Sequence, residues 1–462
     1  MPRQGSCKLP PDAAGRILDR LAGLEQVISA EAIRQALAAT GKANPRSCRL
    51  THEVMLWVVL AMGVLTSLSI RQVFKHARRL RVGEKTPGRS SLCQARRRLG
   101  VEPVRELFQA VVRPLATPAT PGAFYQDLRL MGCDGTVLDV PDSEANQRAF
   151  QRASGSRGEG AFPQVRKVSL VELGTHVETA FAVGGWQDSE QVLAERLIDQ
   201  IPDGVLLLED RGFFSYAAWK KLVARQVQLL IRIKSNMVFR PLRRLTDGSY
   251  LAKIYPSDKD RRKDQNGIVV RIIEYTLNDP QRGGHGEHHR LMTTLLDETL
   301  YPAKELILLY HERWEEEITF DEQKTHQDPK RVTKPANLRS ETPDGVLQEL
   351  YVLSLGHFVT RALMVEAAAQ AQIDVDRLSF TGCFQILECR LPECASQSPE
   401  SFADWLAAVL WEMQQETIEP RRNRVNPRVI KRKMSKWLKK RPEHRGLPPL
   451  KKRFEETVVM VN

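Results

Sequence analysis

The chain has 462 residues, 42% of them hydrophobic, enough for roughly two to four domains with real cores. Its formal net charge is +13, and the excess is segregated: Arg421–Arg453 carries fifteen Lys or Arg against the single acid Glu443. Seven cysteines form no zinc-binding pattern, and an odd number of scattered thiols fits a reducing cytoplasm.

Residues 1 to about 120 read as all helical. Arg16–Ala39 has helical spacing of Ile17, Leu18, Leu21, Leu24, Val27 and Ile28. Val54–Ile70 is the most apolar stretch, short for a membrane span and broken by Gly, Thr and Ser, and reads as a buried helix. The opening residues, MPRQGSCKLPPD, lack the apolar core of a signal peptide. Two short basic helices follow, Ile70–Leu80 and Ser91–Leu99, with Ser69 and Ser90 as N-caps. In the second, Leu92, Ala95 and Leu99 share one side and Arg96, Arg97 and Arg98 take the rest. Such a pair suits a helix-turn-helix-like DNA reader, and equally the basic surface of a helical bundle.

After Thr117-Pro118 and Thr120-Pro121 the rhythm changes to strands at 128–133, 165–173 and 176–183. A helix (188–201), a strand (205–208), a helix (216–224) and a strand (227–233) follow. This order predicts a mixed α/β sheet. Residues 236–300 break it with strand-like pieces (268–275, 290–295) between Gly-rich turns, a β-rich insertion. Helical periodicity returns over 303–325, 344–371 and 399–415, the last capped by Ser398, and a basic tail closes the chain. The expected domains are 1–120, 121–235, 236–300, 301–395 and 396–462.

Charge alone points to a nucleic-acid partner, with Arg71–Arg98 as a second basic run. A solvated basic tail is the alternative. Asp134 ends the first strand and Asp210 ends VLLLED, both at carboxyl ends where open α/β sheets place ligands. Taken singly, each also reads as a turn-forming Asp. In YHERWEEEITFDEQK, a uniform helix advancing about 100° per residue gathers Tyr310, Arg313, Glu317 and Lys324 within roughly 60°. Asp321 is the rival acid on that face, and an exposed helix with ion pairs is the plain reading. Three carboxylates without His or Cys suit Mg²⁺ or Mn²⁺, and two such ions suit phosphodiester chemistry. Arg313, Lys324 and Tyr310 would hold the backbone of the DNA strand.

Asp139 and Asp142 also lie near Asp134. They are set aside because Asp139 is expected on the next strand and Asp142 after a Pro-led turn. Lys167 and Lys234, on strands beside the expected site, suit either a DNA contact or the border of the sheet, and His285, His288 and His289 read as a polar turn rather than a metal site.

The triplet Asp134-Gly135-Thr136, the segment LLLEDRGF around Asp210, and Y-x2-R-x3-E-x6-K, met by Tyr310, Arg313, Glu317 and Lys324, resemble bacterial insertion-sequence transposases of the Asp-Asp-Glu class. The family is the one named after insertion sequence four, and the likeness extends to the run Asn426–Lys433. The resemblance implies an RNase H-like mixed sheet flanked by helices, with a β-rich insertion between the second and third acids. It implies Asp134, Asp210 and Glu317 as catalytic metal ligands and two Mg²⁺ or Mn²⁺ ions. It also implies DNA contacts by Tyr310, Arg313 and Lys324, and by Arg428, Lys431, Arg432 and Lys433 of the tail. The implied partners are double-stranded transposon ends and target DNA, with a homodimer at synapsis and no membrane; the implied location is the cytoplasm, at the nucleoid. The implied reaction is hydrolysis at the inverted-repeat ends, then joining of the 3′-hydroxyl to target DNA. A tryptophan that stacks on an extruded base in part of this group has no counterpart in Asn236–Leu300, where Phe239, Tyr250, Tyr255 and Tyr275 are the candidate stand-ins. An RNase H-like nuclease without strand transfer, and an inactive DNA-binding relic, are the alternatives.

Overall fold

A computed structural model describes residues 24, 27–43, 50–77, 85–155, 158–234, 236–280, 285–327, 338–396, 399–420 and 452–461. The strands are β1 (Phe124–Tyr125), β2 (Leu128–Asp139), β3 (Arg152–Gly155), β4 (Gly158–Glu172), β5 (Val177–Gly184), β6 (Val205–Glu209), β7 (Gln228–Arg232), β8 (Arg243–Arg244), β9 (Tyr250–Ile254), β10 (Ile268–Leu277), β11 (His289–Thr293) and β12 (Val458–Met460). The chain divides into two compact units. One is Met1–Ala123, Gly135–Leu193 and Glu316–Ile418; the other is Phe124–Asp134, Ala194–Glu315 and Glu419–Asn462. Strand β2 contributes to both.

In the first unit every described element before residue 112 is helical, as the sequence predicts. Thr51 caps His52–Val64 by accepting from Val54 N, and all residues from Val54 to Val64 are buried. This is why the stretch is apolar all round: it is a core helix. It crosses helix Pro343–Ala371 at Gly63 and Gly356. A Cβ on Gly63 would fall 2.0 Å from the Val352 carbonyl oxygen, and one on Gly356 2.4 Å from that of Gly63. Gln327 donates its side-chain amide to the carbonyls of Gly63 (2.8 Å) and Leu353 (2.9 Å), fastening the crossing. The long helix is itself long and apolar enough to span a membrane, but 78% of its most apolar window is buried in this core.

The basic helix runs Arg89–Leu99 with Gly88, not Ser90, at its N-cap. Leu92, Ala95 and Leu99 are buried as expected. Arg96 does not point outward: it donates to Gln348 Oε1 (2.8 Å), Ser340 Oγ (3.2 Å) and the Gly345 carbonyl (2.8 Å), tying down the start of helix Pro343–Ala371. Its neighbours Arg97 and Arg98 are exposed. Ser69 receives Gln72 N (3.4 Å), and the described helix there is Ile70–Ala77. In the same unit β4 pairs antiparallel with β5, from Arg166↔Gly184 to Glu172↔Val177. The hairpin turns at Gly174, whose φ of +82° and contact with Ala123 leave no room for a side chain.

In the second unit the amino half of β2 runs parallel to β6, and β6 parallel to β7, with helix Tyr216–Ala224 as the crossover. From β7 the order continues β11, β10, β9, β8, all antiparallel, so the β-rich insertion extends the sheet. The expected helix over 188–201 shortens to Glu190–Glu195 and a 3₁₀ turn, Ile198–Gln200. The sequence reading missed β12, which pairs with β10 (Tyr275↔Met460 to Leu277↔Val458). Phe454, just before it, is buried and stacks on His311 with ring centroids 4.0 Å apart. Lys304 pairs with Glu455 at 3.2 Å, so this returning segment braces helix Ala303–His311.

Candidate active site

Register brings the two strand acids together. Cys133 pairs with Glu209 across parallel β2 and β6, so Asp134, the next residue of β2, and Asp210, the first residue after β6, stand at the same level. Asp134 does not end its strand, contrary to expectation. β2 continues unbroken to Asp139, because the apolar residues Val137 and Leu138 extend the pleat past the DGT triplet. Asp139 therefore lies on this same strand, where its Oδ1 accepts from Gln164 Nε2 at 2.8 Å. Asp142 is paired with Arg152 at 2.6 Å.

Against the two acids sits the end of helix Ala303–His311. The Arg313 guanidinium is 3.6 Å from Asp134 Oδ2, and the Tyr310 hydroxyl donates to the Glu209 carbonyl at 3.1 Å. Next to Asp210, the Glu209 side chain is buried where no charge offsets desolvation, and burial pushes its carboxyl up to about 8. Sequence reading passed over it, although a Glu inside the apolar run VLLLE is a signal.

The segment carrying the third acid is not the uniform helix the sequence suggests. After His311 come a 3₁₀ turn (Glu312–Trp314), a short α-helix (Glu315–Asp321) and a π-helical turn (Glu322–His326). Tighter and wider turns advance by different angles, so the arc drawn for Tyr310, Arg313, Glu317 and Lys324 does not carry through. Glu317 is exposed on the middle piece. Asp321 is exposed and paired with His326 at 3.0 Å. Lys324 lines a recess with Thr136 and Leu138 of β2, Lys167, Phe320 and Gln323. Gly135 matters here too: a Cβ on it would meet the Glu190 side chain at 2.7 Å.

Two buried polar clusters hold the π-turn, and neither was read from sequence. Glu322 accepts from Arg361 Nε (3.0 Å) and lies 2.9 Å from His357 Nε2. His176 stands 3.6 Å from Glu322 and 3.3 Å from Asp376. Burial alone would raise the Glu322 carboxyl; Arg361 and the two histidines hold it well below the usual carboxylate range. In the second cluster Lys167 donates to Glu178 (2.8 Å), Gln323 (3.1 Å) and Ser354 (3.1 Å). Lys167 is thus a core ion pair, unable to reach DNA, whereas Lys234 is exposed. The i, i+4 pair His357 and Arg361 on one long helix is the sequence feature that matches a buried acid.

Among the described residues no three His, Cys, Asp or Glu side chains form a metal-holding group, His285, His288 and His289 included. Asp134 and Asp210 nonetheless offer what a hard divalent cation needs, oxygen donors on β2 and at the end of its neighbour β6, without nitrogen or sulfur ligands. Arg428, Lys431, Arg432, Lys433 and the cap Ser398 lie outside the described residues.

Comparison with known proteins bears on the family of the chain. Residues 18–109 match the model of the insertion element 4 transposase N-terminal region, and residues 128–342 that of the transposase DDE domain. Transposase InsG for insertion sequence element IS4, from Escherichia coli (strain K12), is 29% identical over 425 residues, 90% of this chain and 93% of its own. A piggyBac transposase synaptic complex with hairpin DNA aligns over 87% of this chain and 88% of its own, at 13% identity and a TM-score of 0.43. The mixed sheet flanked by helices is the RNase H-like core expected of a DDE domain, and that domain generally works with divalent metal ions. With both family models and a relative spanning nine-tenths of its length, the chain belongs to the insertion-sequence-four family of DDE transposases, enzymes of DNA transposition.

Proposed function

We propose that this transposase binds the inverted-repeat ends of its element, hydrolyses the phosphodiester there and joins the freed 3′-hydroxyl to target DNA. The observation that carries the reading is the level placement of Asp134 on β2 and Asp210 just past the end of β6, with Arg313 and Tyr310 against them. Asp134, Asp210 and Glu317 would hold two Mg²⁺ or Mn²⁺ ions, which supply charge neutralisation and an activated water or hydroxyl. The chain's own groups do the positioning. Arg313, 3.6 Å from Asp134, presents a planar fork to a phosphate at the acids. Tyr310 fixes the helix end on the Glu209 carbonyl and keeps Arg313 in register with β6. Lys324, beside Thr136, supplies a second cation to the same backbone, and the tail cations Arg428, Lys431, Arg432 and Lys433 add charge. Two copies act together on paired ends, in the cytoplasm and at the nucleoid.

The test is an incubation of the protein with Mg²⁺ and labelled duplexes from the DNA flanking its reading frame. Nicks at fixed positions and joined products in a target plasmid are expected from the wild type, and neither from Asp210→Asn. Nicking without joining would leave a nuclease, and specific binding without nicking a relic.

A further inference from the structure

The 36 residues between Asp210 and Asp247 contain nine Lys or Arg and no acid. Their charge culminates beyond β7, where Lys234, Arg240, Arg243 and Arg244 are all exposed. Among these cations the chain shows apolar side chains that folding normally hides. Val238 is 75% exposed and Leu242 54%, with exposed Pro241 and half-buried Met237 and Phe239 around them.

The loop carrying them is held from beneath. Arg290 of β11 donates to the Met237 carbonyl at 2.7 Å and lies over the Phe239 ring, 5.0 Å from its centroid. The same guanidinium bonds Glu274 (3.0 Å), which also receives the Tyr250 hydroxyl (3.0 Å). At the far end Leu242 N donates to the Leu251 carbonyl at 2.8 Å, and Arg243 and Arg244 pair with β9. Phe239 therefore has one face occupied, Tyr250 is buried under Glu274, and Tyr275 is buried against His289. The apolar groups left outward are Val238 and Leu242.

We infer that this loop is a DNA wedge: Val238 and Leu242 enter between bases of a distorted duplex while Lys234, Arg240, Arg243 and Arg244 grip the phosphates on either side. Apolar side chains flanked by cations are how proteins unstack a base step, and a braced loop resists the push of the stack. A stretch of chain with nine cations and no acid, four of the cations exposed around the loop, fits a polyanion better than another protein's apolar patch. The inference rests on the reading of the chain as an enzyme acting on DNA, and it supplies a base contact where the insertion lacks tryptophan.

The test uses the full chain and two duplex probes, one fully paired and one forked, each with 2-aminopurine near the end. Wild-type binding should raise the 2-aminopurine signal and favour the fork. Val238→Ser with Leu242→Ser should lose most of that rise and at least about fivefold of the fork preference, with affinity for the paired probe kept. Arg243→Ala with Arg244→Ala should instead weaken both probes and lower the log–log salt slope by about 0.9 per lost phosphate contact. A serine double variant that still unstacks the probe overturns the wedge. Wild-type binding with no fluorescence change overturns it too, and leaves the DNA-processing reading standing. No binding of either probe by the wild type removes both.

Discussion

Cys133 and Glu209 face each other across β2 and β6, and that one pairing sets Asp134 and Asp210 side by side. A one-residue slip between the strands would turn one acid to the opposite face. The site is therefore a product of strand register more than of loop conformation.

Asp134→Asn and Asp210→Asn should each lower end cleavage by about a thousandfold or more, the rate equivalent of several kcal/mol. Capture of end DNA in a mobility-shift assay should persist, and thermal melting should stay within a degree or two. Glu317→Gln should behave alike. Full cutting by that variant would shift the third role to another acid.

Arg313→Ala should slow cleavage after capture, with binding close to normal, because the cation sits at Asp134 and away from the outer surface. Lys324→Ala should act in the same direction. Single-turnover cleavage beside a melt separates the outcomes: early melting with lost capture would mark the cations as structural.

Glu209 gives a pH signature. Its folded value, about 8, is above the ordinary 4.5, so the folded state binds the extra proton. The stabilisation is present below about 4.5 and is lost as pH rises through about 8. Glu209→Gln should remove that slope and be more stable than wild type at pH 9 by a few kcal/mol. Denaturant midpoints at pH 6 and pH 9 decide it; parallel curves for the two proteins would refute the buried-acid account.

Arg361→Ala should cost about 3–5 kcal/mol, since it leaves Glu322 buried and charged without its main partner. Cleavage should fall with stability, because the π-turn that carries Lys324 loses its anchor. A melting point equal to wild type would show that the cluster carries no structural load.

For the basic tail, neutralising its cations between 421 and 451 while keeping 452–462 should flatten the salt dependence of DNA binding. Deleting 452–462 alone should act differently. It removes β12 and the Phe454–His311 stack, and should lower stability and cleavage more than initial capture. Equal salt slopes before and after neutralisation would mean the tail does not touch phosphates.

Much of this was legible in the chain, for identifiable reasons. The helix expected over 216–224 matches the structure to the residue, where Ser215 caps it by accepting from Ala218 N. β6 was read nearly to its end because a buried parallel strand is apolar throughout. What escaped depended on partners far along the chain. Arg96 looked like a surface cation until residues 340–348 supplied acceptors for it. Glu322 looked like one acid among many until His357 and Arg361 surrounded it. β12 is a short apolar run whose assignment needs β10. The change to π pitch over Glu322–His326 leaves no periodic mark, because distant partners anchor Glu322 and Gln323 there.

The contact of Gly63 with Gly356 has a consequence for how such proteins can be recombined. Two backbones touching without intervening side chains are a matched pair, and neither tolerates a partner with a methyl group at the crossing. An N-terminal segment taken from a relative would therefore be a poor cassette by itself. A workable chimera must carry helix Pro343–Ala371 along with His52–Val64, although nearly three hundred residues of sequence separate them. Shuffling between elements should accordingly favour breakpoints that inherit both helices from one parent.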